Sequence, residues 1–159
     1  MNWHWLHFSQ LSAAQLYAVL AARQQVFVLE QQCLYPDIDG LDLDAHHLLG
    51  YRDDPAGRTA SANAAAGPQL CAYLRCLAPG VKFTEASLGR VLTTQAGRGT
   101  GAGRALLAQG IEHASALYPH NGLRISAQQH LEKFYASFGF ATVSAPYDED
   151  GIAHVDMRR

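Results

Sequence analysis

Residues 97–107, GRGTGAGRALL, place glycine at 97, 99, 101 and 103 and then run into a leucine-rich segment of helical spacing. The first turn of a helix holds backbone N–H groups without intrahelical acceptors and carries partial positive charge, so anions settle there. Glycine removes the Cβ that would hold a ligand off those amides. One glycine satisfies a tight turn; four in alternation, flanked by Arg98 and Arg104, point to a pyrophosphate cradle. Its members are the backbone groups of Arg98, Gly99, Thr100, Gly101, Ala102, Gly103 and Arg104.

The remaining pattern alternates β and α. NWHWLHF alternates bulky and polar residues as a strand does, and Ser12 with Gln15 forms a capping box that starts a long helix. Leu16, Val19, Leu20, Arg23, Val26 and Phe27 recur at helical spacing, which extends this helix to about Glu30 before the loop CLYPDIDGLDLD ends it. HHLLGYR and QLCAYLRCL read as a hairpin, separated by the small-residue stretch DDPAGRTASANAAAG, a surface loop with no chemical role. SLGRVLTT is a strand that feeds the glycine stretch and a helix with Leu107, Ile111, Ala114 and Leu117 on one stripe. LRISA, a short helix HLEKFYASF, and strands FATVSA and IAHVDM complete the chain. The expectation is a single α/β domain over residues 1–159, with a mixed, mostly antiparallel sheet of six to seven strands flanked by helices.

Composition narrows the function classes. A formal net charge of −2, with no basic run interleaved with aromatics, argues against a nucleic-acid partner. The N-terminal residues have neither the cationic start nor the apolar run of a signal peptide, and no segment reads as a membrane span, so a cytoplasmic location and no membrane partner are expected. Cys33, Cys71 and Cys76 fit no metal or redox spacing and are expected as buried thiols; no metal site is expected. The oligomeric state is not fixed by the sequence, which leaves a homodimer open.

Three kinds of phosphate loop compete for residues 97–104. A Walker A loop needs Gly-Lys-Ser/Thr, where this chain has Gly103, Arg104 and Ala105. A dinucleotide fingerprint needs an acidic residue about twenty positions later, and none lies between Glu112 and Glu132. RGTGAG, Arg98 to Gly103, instead resembles the R/Q-x-x-G-x-G/A signature of the GNAT superfamily of N-acetyltransferases, and QQHLEKFYASFGF, residues 128–140, resembles its second motif. RQQVFVLEQQCLYPDIDGLDLDAHHLLGY, SAQQHLEKFYASFGF and YDEDGIAHVDM are together similar to the ElaA-like subgroup and span most of the chain.

The resemblance implies the GNAT fold and acetyl transfer from acetyl-coenzyme A, as co-substrate, to a primary amine by direct attack in a ternary complex. The acceptor is a small amine or a peptide amine. A non-catalytic coenzyme A-binding regulatory module is the alternative. By the same resemblance, residues 98–104 hold the pyrophosphate and the main chain of Leu92 and Thr93 pairs with the pantetheine arm, where a backbone N–H polarises the thioester carbonyl. Gln128 stands where relatives often carry asparagine, and Tyr135 stands where many carry the general acid that protonates or hydrogen-bonds the departing thiolate.

An alkylammonium has a pKa of about 10.4 and must lose a proton before it attacks, so a base is needed. Glu30, at the end of the first helix, is the leading carboxylate, with a water relayed by His46, His47 or His154 as the alternative. Arg23, among apolar neighbours, is expected to pair with a core carboxylate. Asp37, Asp39, Asp42 and Asp44 crowd the loop after the first helix, and that negative charge favours a cationic acceptor.

Overall fold

The computed structural model describes residues 1–52 and 68–159; the alanine-rich stretch read above as a surface loop, 53–67, lies outside them. The strands are β1 (Asn2–His7), β2 (His46–Arg52), β3 (Gln69–Leu77), β4 (Ala86–Thr93), β5 (Leu123–Gln128), β6 (Ala141–Thr142), β7 (Tyr147–Glu149) and β8 (Ile152–Arg158). The helices are α1 (Ala13–Arg23), α2 (Ala102–Leu117) and α3 (Glu132–Ala136). One sheet runs in the order β1-β2-β3-β4-β5-β8-β6, and β7 shares the outer edge of β8 with β6. Every pairing is antiparallel except β4 with β5.

The expected mixed, mostly antiparallel architecture is therefore present, with eight strands among the described residues instead of six or seven. The additional strand is β7, whose three residues are all exposed and carry no apolar alternation. FATVSA contributes only the two residues of β6.

The sheet is covered on both faces, which is why QLCAYLRCL is apolar almost throughout. Leu48, Leu74, Leu88, Leu106, Leu107 and Ile125 pack on the α2 side. Val19, Val26, Phe27, Leu49, Tyr73 and Leu92 pack on the α1 side. Ser12 caps α1 as its sequence predicts: its Oγ accepts from the Gln15 amide at 3.2 Å while the Gln15 side chain accepts from the Ser12 amide at 2.9 Å. Beyond Arg23 the helix does not stay α; Gln24–Glu30 widens to π-helical geometry, keeping Val26 and Phe27 buried.

Two irregularities in β4 open the sheet. β5 pairs with β4 only at Ala86–Leu123 and Ser87–Arg124, so the two strands part beyond Ser87. On the other side of β4 the register with β3 slips between Tyr73 and Arg75, leaving Arg90 and Val91 together opposite Leu74 as a β-bulge. Arg90 adopts φ 51° within it.

Candidate active site

The gap between β4 and β5 forms a cleft of about 630 Å³. Its walls bring together the β4 bulge, Ser126 and Gln128 of β5, Tyr135 of α3, and His154 of β8. The glycine loop follows directly on the end of β4. Gly97 lies so close to β3 that a Cβ there would sit 2.2 Å from the Cys71 carbonyl oxygen, so the loop is seated on the strand by a contact only glycine permits. Gly101 caps α2 at φ 82° with no neighbour within 4 Å of a built Cβ. The Gly97 and Arg98 amides bond to Thr94 O and those of Arg104 and Ala105 to Gly101 O. Among the described residues, the intervening amides of residues 99 to 103 find no acceptor. Consecutive unfilled amides at a helix start are an anion site.

The glycines thus do two jobs: Gly97 seats the loop against β3, and the segment that follows leaves its amides open. The flanking arginines are less free than the sequence implies. Arg98 is engaged by Glu30, a very short contact, and by Gln95 Oε1 at 3.2 Å. The Arg104 guanidinium rests 4.9 Å from the Phe138 ring centroid, tying the start of α2 to the aromatic end of α3.

Leu92 and Thr93 lie where β4 has lost β5 as a partner. The Leu92 side chain is buried against α1, and on its β5 side this segment has an unpaired main-chain edge. Tyr135 is 7 % exposed, packed edge-on to Phe134 and Phe140, and its hydroxyl bonds no protein group among the described residues. Burial pushes its pKa up to about 12, so the phenol keeps its proton at neutral pH. Gln128 donates from Nε2 to Gln31 Oε1 at 3.2 Å across the cleft.

The proposed bases separate. Glu30 does not line the cleft that holds Tyr135; it stands beside the glycine loop, and hydrogen bonds from Arg98 and Gln25 hold its carboxyl below the usual range, which weakens it as a base. His46 and His47 face opposite sides of the sheet: His46 stacks on Trp5, while His47 is buried against Tyr73. His154 lines the cleft. Its Nδ1–H donates to Ile152 O at 2.8 Å, and its Nε2 lies 3.8 Å from Glu149 Oε2.

The acidic loop is reinterpreted by the structure. Asp37 and Asp42 bind Arg23, each at 2.8 Å; Asp39 and Asp42 bind Arg75 at 2.7 and 3.0 Å; Asp37 and Asp39 bind Arg90 at 2.7 and 3.1 Å. Arg23 pairs with core carboxylates as expected, but three of the four aspartates face three arginines, so most of the negative charge expected to favour a cationic acceptor is neutralised within the fold. Burial alone would raise the Asp39 and Asp42 carboxyls; the arginine bonds and charges hold both below the usual range. A left-handed arginine costs roughly 1–3 kcal/mol. Each charge-assisted bond to Arg90 contributes about 1.5–3 kcal/mol, so the network outweighs the strain.

Arg75 and Arg90 escaped the sequence reading. Their signal was charge inside apolar strand patterns, which asks for a buried partner.

A family model described as an acetyltransferase (GNAT) domain matches residues 80–159. A UPF0039 protein of Synechocystis is 45% identical over 99% of this chain and 94% of its own length. Protein ElaA of Escherichia coli is 40% identical over 100% of this chain and 96% of its own. Among solved structures, an acyl-CoA N-acyltransferase from Pseudomonas aeruginosa superposes with a TM-score of 0.85 at 37% identity, covering 100% of this chain and 99% of that one. The crystal structure of E. coli ElaA gives 0.85 at 39% identity, covering 99% and 98%.

Proposed function

The chain belongs to the GNAT acetyltransferase family, and from that premise we propose that it moves the acetyl group of acetyl-coenzyme A to a primary amine by direct attack. The observation that carries this reading is the succession, along one stretch of chain, of a strand edge vacated by β5 and the unfilled amides of residues 99 to 103. The open amides suit an anion such as a pyrophosphate, and the unpaired main chain of Leu92 and Thr93 suits an extended amide-bearing arm added like a strand. A backbone N–H of the β4 bulge then faces the thioester carbonyl, where negative charge develops.

In this reading His154 Nε2, directly or through one water, takes a proton from the ammonium, and the neutral amine nitrogen attacks the thioester carbon. The carbon–sulfur bond breaks as the nitrogen's second proton passes to the departing thiolate. Glu149 stabilises the imidazolium that results, as the carboxylate nearest Nε2. His154 takes the role of base in place of Glu30, which serves to hold Arg98 at the glycine loop. Tyr135 donates a hydrogen bond to the leaving sulfur. A phenol at about 12 lies well above a free thiol at about 8.5, so sharing the proton is favoured over surrendering it. The acceptor is a small amine or a peptide amine.

The test is a calorimetric titration with acetyl-coenzyme A, followed by a panel of primary amines with thiol release recorded. Binding with turnover is the expected result. Binding with no release on any amine favours a regulatory coenzyme A-binding module; no binding overturns the reading.

A further inference from the structure

Three non-glycine residues among those described have left-handed backbone angles: Gln32 at φ 57°, Arg90 at φ 51° and Asp150 at φ 54°. Arg90 and Asp150 line the cleft, and Gln32 follows Gln31, which also lines it. Strain of this kind survives only where the surroundings over-determine it. Arg90 is the clearest case. It is the bulged residue of β4, with no register partner in β3 or β5. Its Nε donates to Asp37 Oδ1 at 2.7 Å, and its terminal nitrogen to Asp37 O and Asp39 Oδ2, both at 3.1 Å. The Tyr35 ring lies 5.2 Å from its guanidinium.

These anchors do not give. Asp37 is held by Arg23 from α1, and Asp39 by both terminal nitrogens of Arg75 from β3. We propose that the Asp37–Arg90 pair is a positioning device: the side chain of Arg90, gripped by the 31–44 loop, holds residue 90 left-handed and so fixes the bulge amides toward the cleft. Rotating φ at residue 90 reorients the adjoining peptide planes, so an ungripped residue would relax to extended backbone and carry those amides away. The loop that supplies the grip also contributes Tyr35, Asp39 and Leu41 to the cleft, so acceptor-side contacts and the bulge are mechanically joined. The catalytic part of this inference rests on the thioester lying against β4.

The test compares Arg90→Ala, Arg90→Gly and Arg90→Lys. All three should fold, because Asp37 keeps Arg23 and Asp39 keeps Arg75, leaving no buried charge alone. Glycine tolerates the left-handed angle and alanine does not. Arg90→Ala is therefore expected to lose about 100-fold in kcat with both KM values within about threefold, and Arg90→Gly to recover at least about tenfold of that loss. Carbon chemical shifts at residue 90 should be left-handed in wild type and Arg90→Gly, and extended in Arg90→Ala. Equal losses in the alanine and glycine variants, or a raised amine KM in both, would mean direct substrate contact and overturn the proposal. Left-handed shifts in Arg90→Ala overturn it on conformation alone. A wild type that binds no acetyl-coenzyme A would sink the proposed function, while the shifts would still decide whether the grip sets the bulge.

Discussion

Replacing Gly101 by alanine separates the conformational from the steric demands of the glycine loop. A Cβ at this position meets nothing within 4 Å, so no clash follows, and the whole penalty comes from holding φ at 82°. For an L-residue that is roughly 1–2 kcal/mol. In a chain of this size, about 2–4 °C is lost per kcal/mol, which predicts a Tm lower by about 2–8 °C if the loop keeps its shape. If it relaxes instead, the melt moves less and the amides of residues 99 to 103 no longer converge. In the second case acetyl-coenzyme A affinity should fall by about tenfold, since the loop must be re-formed on binding and a cost of about 1.4 kcal/mol is a factor of ten in Kd; in the first, the strain is already present in the free protein and affinity should hold. Differential scanning calorimetry and isothermal titration on the same preparation read both quantities. Gly103→Ala is the control: its Cβ would touch only Thr93 Cγ2 at an ordinary 3.6 Å, it lies inside α2, and stability should hold or rise. Unchanged affinity in Gly101→Ala without a lowered Tm would remove the cradle from the account. Gly101→Asp adds a carboxylate beside the pyrophosphate and should abolish binding in a folded protein.

Tyr135→Phe deletes a hydroxyl that bonds no protein group, so Tm should hold while kcat falls about 10–100-fold, the worth of one hydrogen bond to a charged atom; an unchanged kcat removes the residue from the reaction. Gly97→Ala must displace the Cys71 carbonyl, which also accepts from the Thr94 amide at 2.9 Å. It should destabilise the fold by about 3 kcal/mol or more, read as a urea midpoint, and a wild-type midpoint would contradict the packing described. Acid should weaken the protein in two stages. Burial lowers the His46 and His47 pKa values, so stability is full above the unfolded-state value of about 6.5 and declines as pH drops below it. Asp39 and Asp42 are also depressed, and their contribution persists until pH falls below about 3.9. Urea midpoints measured from pH 8 to pH 3 should show both declines, and His47→Gln should diminish the first alone.

How much of this was readable from residues alone follows from how local each signal is. The β2–β3 hairpin was placed to the residue because both strands are buried on both faces and end in turn-forming residues. The Ser12–Gln15 box needs only neighbours three apart, and it formed. The glycine loop and Tyr135 were legible as motifs. The widening of the helix at Gln24–Glu30 was not, since the buried positions Val26 and Phe27 serve α and π geometry equally. Nor was the Arg–Asp network: Arg90 and Asp37 are 53 positions apart, and only the bulge in β4 brings them together. Where Glu30 faces was not readable either, because the end of a helix says nothing about which side of a loop its side chain meets; the bond from Arg98 sets that in three dimensions.

The seam between β4 and β5 has a consequence beyond the cleft it opens. Among the described residues, two residue pairs are the sheet's only ladder between the segment ending at Thr93 and the β5–β8 flank. Slow amide exchange should therefore stop at this seam, with β5 and β8 opening as one unit at lower free energy than β2 and β3. An extended ligand lying along β4 would act as the missing rung, and its arrival should be visible far from its own contacts, as protection gained along β8.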